Sequence, residues 1–320
     1  MRVLTHVVVT LLLTVGVSAQ SEPARINANL KLPYTFVAYG DTRFTDPADT
    51  GASNAQVRQE IVQKIADARP AFISVGGDIS YDGQNEKDWE QYDKETDAWH
   101  KQGLIVYPAL GNHDLHGDPK IALGNYFKRF PTIHESRYYS VELPNALMLV
   151  LDSSMDETAG AQGEWLKSQI GAVGESEDFV FIVLHHPPYT SSSDFIFSGG
   201  HSARRNEEAL AKYLEAQQQK MRARIVVFAG HVHNYERQQH GGVVYFVTGG
   251  GGAHPYVFSR KRGDLFQGKG VYYHYIEVKV ESGKLTTIMH RVEIEDGKPV
   301  WSEPDQMTIQ VPAAVKAAGR

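Results

Sequence analysis

A chain of 320 residues with 42% hydrophobic and 22% charged residues carries ample core-forming material, which excludes disorder for its bulk. A net charge of -6 with no basic block excludes a dedicated nucleic-acid binder, because affinity for phosphate backbones rests on clustered Lys and Arg. The absence of cysteine excludes disulfides and thiolate metal sites, so any metal must be held by oxygen and nitrogen.

Met1-Arg2, the apolar run Val7 to Val17 and the small residues Val17-Ser18-Ala19 read as a secretory signal peptide over residues 1–19, its apolar stretch short of the ~20 residues that spanning a membrane takes. The mature protein is then expected to be secreted or periplasmic, with no stable membrane span. Residues 30–310 are expected to form a single domain, and 311–320 a solvated tail. Tyr34 to Tyr39 predicts a strand running into Gly40-Asp41. Asn54 to Arg69 places Val57, Ile61, Val62, Ile65 and Ala68 at helical spacing, closed by Pro70. Phe72 to Val75 predicts a buried strand leading to Gly76-Gly77-Asp78, Glu86 to Lys101 a helix with Trp89, Tyr92 and Trp99 on its core face, and Leu104 to Leu110 a further strand. Strand, helix, strand, helix, strand argues for parallel pairing. Tyr139 to Leu143 and Ala146 to Leu151, around Pro144-Asn145, predict an antiparallel hairpin that makes the sheet mixed. Helices over Gln162 to Ile170 and Asn206 to Lys220 alternate with strands Phe179 to Leu184 and Ile225 to Ala229. Val243 to Thr248 runs into Gly249 to Gly252, and Tyr272 to Val280 with Leu285 to Val292 predicts a late hairpin.

Five apolar runs thus end in polar groups, at Asp41, at Asp78, at Gly111-Asn112-His113-Asp114, at His185 and at Gly230-His231-Val232-His233. An open α/β sheet collects ligands beyond the carboxyl ends of its strands. Asp41, Asp78, Asn112, His185, His231 and His233 offer two carboxylates, one amide oxygen and three imidazoles. That is too many donors for one tetrahedral ion and suits two, with Asp78 able to bridge. Two cations ~3.5–4 Å apart polarise a phosphoryl oxygen and clamp both ends of an in-line displacement, so phosphoester hydrolysis is the chemistry such a pair suits.

These five blocks, in this order, resemble the signature of the calcineurin-like metallophosphoesterases. Asp41-Thr42-Arg43 lacks the histidine that most of that superfamily carries two residues after the first aspartate. Gly77-Asp78-Ile79-Ser80-Tyr81 is similar instead to the purple acid phosphatase block, in which a tyrosine supplies a phenolate, and with little chain before Tyr34 the sequence looks like the short form of that group. The resemblance implies a four-layer α-β-β-α sandwich of two mixed sheets, where the residues alone give a mixed α/β class. It implies two metal ions: Fe(III) on Asp41, Asp78, Tyr81 and His233, and divalent Fe, Zn or Mn on Asp78, Asn112, His185 and His231. It further implies an acid phosphatase acting on small phosphomonoesters, with in-line attack by metal-bound hydroxide, His113 protonating the leaving oxygen and Asp114 orienting or charge-supporting His113. His201 and His254 are the candidates for further substrate-facing histidines.

Blander roles stand beside these. Asp41 and Asp78 could cap helices or turns. His185 and His186 compete for one ligand position, the loser being a neighbouring or packing residue. Arg43 could meet a substrate phosphate as a bidentate donor or sit in a surface ion pair. Gly249 to Gly252 lacks the Lys-Ser/Thr of a P-loop and reads as a tight turn near the site. A phosphodiesterase or nucleotidase of the same superfamily and a non-catalytic phosphate binder are the rival functions. Oligomeric state has no signature, and the loop from Thr190 to Arg205 is expected to set substrate choice.

Overall fold

The computed structural model describes residues 22–193 and 201–312. The expected signal peptide, most of the tail and residues 194–200 lie outside them. In chain order the strands are Arg25–Asn27 (β1), Tyr34–Tyr39 (β2), Phe72–Val75 (β3), Ile105–Pro108 (β4), Tyr139–Leu143 (β5), Ala146–Val150 (β6), Phe179–Leu184 (β7), Arg224–Ala229 (β8), Tyr235–His240 (β9), Val243–Thr248 (β10), Tyr273–Glu281 (β11), Lys284–Glu295 (β12) and Lys298–Gln310 (β13). The helices are Ala55–Ala68 (α1), Glu86–Glu95 (α2), Asp97–Gln102 (α3), Pro119–Arg129 (α4), Gly160–Gly171 (α5) and Arg205–Gln218 (α6). One sheet has the order β1-β5-β6-β7-β8-β10-β9 and the other β13-β12-β11-β2-β3-β4, and each mixes parallel with antiparallel neighbours.

Alternation along the buried strands produces the layers. In β7, Phe179, Phe181 and Val183 enter the core between the sheets, where Phe36 of β2 meets Phe181 and Phe228 at ring-centroid distances of 5.2 and 6.0 Å. Val180, Ile182 and Leu184 point the other way, beneath Leu166 and Ile170 of α5 and Leu210 and Leu214 of α6. Each such side chain contributes roughly 1.5–3 kcal/mol on burial. Across the molecule α1 lies on β11 and β12, with Trp99 of α3 donating its indole N–H to the Val62 carbonyl at 3.0 Å. The layer order is α-β-β-α, as the resemblance implied, and Trp89, Tyr92 and Trp99 are core residues.

Four elements carry no signal of the kind used above. β1 is three residues long, while β9 and β13 are polar edge strands, β13 pairing only with β12 and tolerating Pro299 and Pro304 because an edge leaves one row of backbone groups unpaired. Helix α4 begins with Asp118, which accepts from the Lys120 and Ile121 amides ahead of a weakly patterned stretch. The single helix expected over Glu86 to Lys101 is two. Thr96 Oγ1 donates back to the Tyr92 carbonyl at 2.8 Å, and the Thr96 carbonyl starts the next turn by accepting from Trp99.

Candidate metal centre

The C-terminal ends of β2, β3, β4, β7 and β8 meet at one edge of the sandwich, and tight turns there re-aim the side chains. Asp41, Asp78 and His231 hold φ at 58°, 52° and 67°, a left-handed conformation that costs an L-residue roughly 1–3 kcal/mol and persists only where its surroundings over-determine it. The turns interlock: Gly77, at φ 86°, is so close to Gly111 and His185 that a Cβ would stand 2.7 Å from the Gly111 nitrogen and 2.8 Å from His185 Nδ1.

One donor group gathers on the β7 and β8 side. His185 Nε2 lies 3.0 Å from Asn112 Oδ1, 3.1 Å from His231 Nδ1 and 3.3 Å from Asp78 Oδ1, and His231 Nδ1 lies 3.1 Å from Asn112 Oδ1. Atoms spaced this way surround a point about 2 Å from each, the distance at which nitrogen and oxygen bind a divalent cation. His185 Nδ1 bonds the Gly76 carbonyl at 2.8 Å; a carbonyl only accepts, so Nδ1 carries the proton and Nε2 presents its lone pair.

A second group adjoins the first across Asp78. Asp41 Oδ1 and His233 Nε2 stand 3.4 Å apart, both buried, and neither has a hydrogen-bond partner among the described residues. His233 Nδ1 donates to the His254 carbonyl at 2.8 Å, so the orphaned Nε2 is again a lone pair facing a carboxylate oxygen. Two buried acceptors facing each other are costly unless a cation sits between them, so these residues fit a second metal ion. Burial would raise the Asp78 carboxyl, but His185, His113 and Arg43 outweigh it and hold Asp78 well below the usual range. Arg43 Nη2 is 3.3 Å from Asp78 Oδ2, so Arg43 points into the centre rather than into a surface ion pair. Burial and the neighbouring imidazoles keep His231 strongly depressed and therefore neutral, the form that can bind a metal.

A model of the calcineurin-like phosphoesterase family matches residues 34–235. The chain belongs to that family. It is similar to purple acid phosphatase 1 of Ipomoea batatas, at 26% identity over 65% of this chain and 44% of that one. It is also similar to the Fe(3+)-Zn(2+) purple acid phosphatase 12 of Arabidopsis thaliana, at 26% over 68% and 46%. The chain spans less than half the length of these curated relatives. Among solved structures it superposes on a purple acid phosphatase from yellow lupin (Lupinus luteus) seeds with a TM-score of 0.68 and 17% identity, covering 88% of this chain and 54% of that one. A dimetal phosphatase from Danio rerio gives 0.55 and 14%, covering 87% and 99%. At these identities the superpositions establish the fold.

Other expected residues of this calcineurin-like phosphoesterase fall differently around the centre. His113 donates Nδ1–H to the Tyr81 carbonyl at 2.6 Å, which leaves Nε2 as its free nitrogen, and burial holds its pKa below the ordinary value. Asp114 does not orient His113. It is fully buried, and its carboxylate accepts from the amides of Ile79 (2.9 Å), Ser80 (3.0 Å) and Gly111 (2.9 Å), tying the β3 and β4 turns together. Burial and the Asp78 charge push Asp114 up to about 7. The Tyr81 ring stacks on His113 at 5.4 Å, and its hydroxyl makes no hydrogen bond among the described residues. His201 lies over His231 at 4.2 Å, whereas the His254 ring turns out to the Thr50 carbonyl and reaches the centre only through its backbone. Gly249 packs on Asp41, the close turn that the glycine tract suggested. Tyr256, absent from the sequence-based candidates, stacks on His233 at 4.3 Å and sits 3.2 Å from His201 Nε2. It lies in an irregular loop after Pro255, where no periodicity marks it.

Proposed function

We propose that this protein is a two-metal phosphoester hydrolase that removes phosphate from small monoesters, most like a purple acid phosphatase. The observation that carries this is the position of Asp78 between two donor groups, Asn112, His185 and His231 on one side and the orphaned Asp41 and His233 pair on the other. A cation pair held there would supply the Lewis acidity that offsets phosphoryl charge and makes water nucleophilic near neutral pH. The chain's own part follows from its geometry. Arg43 and His201 border the centre as donors for phosphoryl oxygens. His113, fixed by the Tyr81 carbonyl at Nδ1, has Nε2 free and in its protonated form would be the proton donor to the leaving oxygen. Fe(III) on the Asp41 and His233 side is supported by the purple acid phosphatase relatives and by Tyr81 three residues after Asp78. Export as a secreted or periplasmic enzyme rests on the leader-like N-terminus, and no helix among the described residues is long and apolar enough to cross a membrane.

The test is hydrolysis of an aryl phosphate monoester against the matching diester by metal-loaded protein, with His113→Ala as control. Monoester turnover that collapses at least a hundredfold in His113→Ala is the expected outcome. Diester preference would move the protein to the phosphodiesterase branch, and two bound metals without turnover of either ester would make it a phosphate binder. Iron on Tyr81 predicts a visible charge-transfer band that Tyr81→Phe abolishes; a colourless, active, iron-free protein would remove the purple-phosphatase assignment.

A further inference from the structure

His185 and His186 are adjacent imidazoles whose hydrogen bonds set opposite tautomers. His185 gives its Nδ1 proton to the Gly76 carbonyl and presents a lone pair at Nε2. His186 Nδ1 instead meets the hydroxyl of Ser153 at 2.8 Å, and the same Ser153 Oγ accepts the His186 backbone N–H at 3.1 Å. Ser153 and His186 are both buried, at 2% and 7% exposure. A buried hydroxyl that accepts from one group must still place its own proton, and among the described residues His186 Nδ1 is the acceptor Ser153 Oγ has for it. Nδ1 therefore accepts, and the neutral ring carries its proton on Nε2.

The ring that carries this proton adjoins the centre. The His186 ring lies 4.3 Å from the His231 ring and 4.8 Å from the His185 ring, and one ring nitrogen from each of the three falls within 4.8 Å of the others. His186 Nε2 makes no hydrogen bond to another of the described residues, so its proton is available to a ligand. On spacing alone the three histidines could share an ion. Their hydrogen bonds separate the adjacent pair: the Gly76 carbonyl leaves His185 a lone pair at Nε2, and Ser153 leaves His186 an N–H.

We propose that His186 is an anion-binding residue: its Nε2–H donates to an oxygen of the phosphoryl group held on the Asn112, His185 and His231 side, with Ser153 as the residue that fixes the donor tautomer. This rests on the phosphoester assignment above and adds a contact made by the second histidine of the pair.

The test uses the full chain, metal-loaded, with inorganic phosphate as the probe in calorimetric titration, alongside kcat and KM for an aryl phosphate and metal content per chain. His186→Asn places its amide near the old Nδ1 and has nothing at Nε2, whereas His186→Gln places an N–H near Nε2. Full metal content with phosphate binding weakened tenfold or more in His186→Asn and largely restored in His186→Gln is the expected result, since a hydrogen bond to a charged group is worth about that factor or more. Loss of one metal equivalent in His186→Asn would make His186 a ligand and overturn the proposal. Unchanged phosphate affinity in both variants would make it a packing residue, with the same consequence. Should His186→Asn fail to fold, Ser153→Ala carries the test, with several-fold weaker phosphate binding expected and an unchanged Kd overturning it. Phosphate binding that depends on His186 in a protein that hydrolyses no ester would support this contact while sinking the hydrolase assignment.

Discussion

Gly111→Ala should disable the centre without any donor being touched. A methyl on Gly111 would stand 2.2 Å from the Asp78 nitrogen and 2.3 Å from Asp78 Oδ1, where ordinary contact begins at 3.4 Å. The shortfall is about 1.2 Å, and the atoms in the way are the backbone and carboxylate of a fully buried residue with no room to rotate aside. Asp78 Oδ1 also accepts the His113 amide at 2.9 Å and faces His185 at 3.3 Å, so the shift reaches both donor groups and His113. A misplacement of about 1 Å costs on the order of a hundredfold in rate, so kcat/KM for an aryl phosphate should fall by at least that, about 2.7 kcal/mol of transition-state stabilisation. Gly124→Ala is the control: it lies inside α4, a Cβ there meets nothing within 4 Å, and the change should leave activity alone and add roughly 0.5–1 kcal/mol of stability. Activity within threefold of wild type in Gly111→Ala, with both metals retained, would refute the reasoning.

Asp114→Asn turns an –NH2 toward backbone amides that can only donate, and should lower unfolding free energy by about 2–3 kcal/mol in urea titrations; an unchanged midpoint would mean the amide clamp carries no stability. Chelation should lower the melting temperature, and readdition of metal should restore it in a concentration-dependent way, because the facing Asp41 and His233 acceptors would be left unpaired; identical melts with and without chelator would argue against a metal site. Away from the centre, burial and the adjacent Glu207 carboxylate push Glu157 up to about 8, with Arg204 the opposing neighbour. A carboxyl whose folded pKa is raised stays protonated after the unfolded chain has released its proton. The stability present at acid pH is therefore lost progressively from about pH 4.5 to about pH 8, on the order of a few kcal/mol. Melting curves across that window should show the decline, and Glu157→Gln should flatten it; a parallel decline in the variant would assign the pH dependence to other groups.

Much of the architecture was legible because burial imposes alternation. Runs such as Phe179 to Leu184, apolar on both faces, can only lie in a sheet covered on both sides, and the layered sandwich follows from several of them separated by helices. The edge strands escaped because solvent accepts any side chain there: β13 alternates weakly and contains two prolines. The break at Thr96 escaped because spacing does not reveal a side chain that bonds its own helix.

For the centre, the sequence by itself determined which donor types stand at which strand ends, since a glycine turn after an apolar run places the next polar residue at the sheet's carboxyl edge. Asp41, Asp78, Asn112, His185, His231 and His233 were all named on that ground, and the structure brings them together. What each neighbouring residue does was decided only by tertiary structure. Asp114 follows His113 directly yet binds amides of the β3 turn, Tyr256 reaches His201 across 55 residues, and the His186 tautomer is set by a serine 33 positions away. A side chain's type and strand position are local properties, but its hydrogen-bond partner depends on which distant loops the fold brings within about 3 Å.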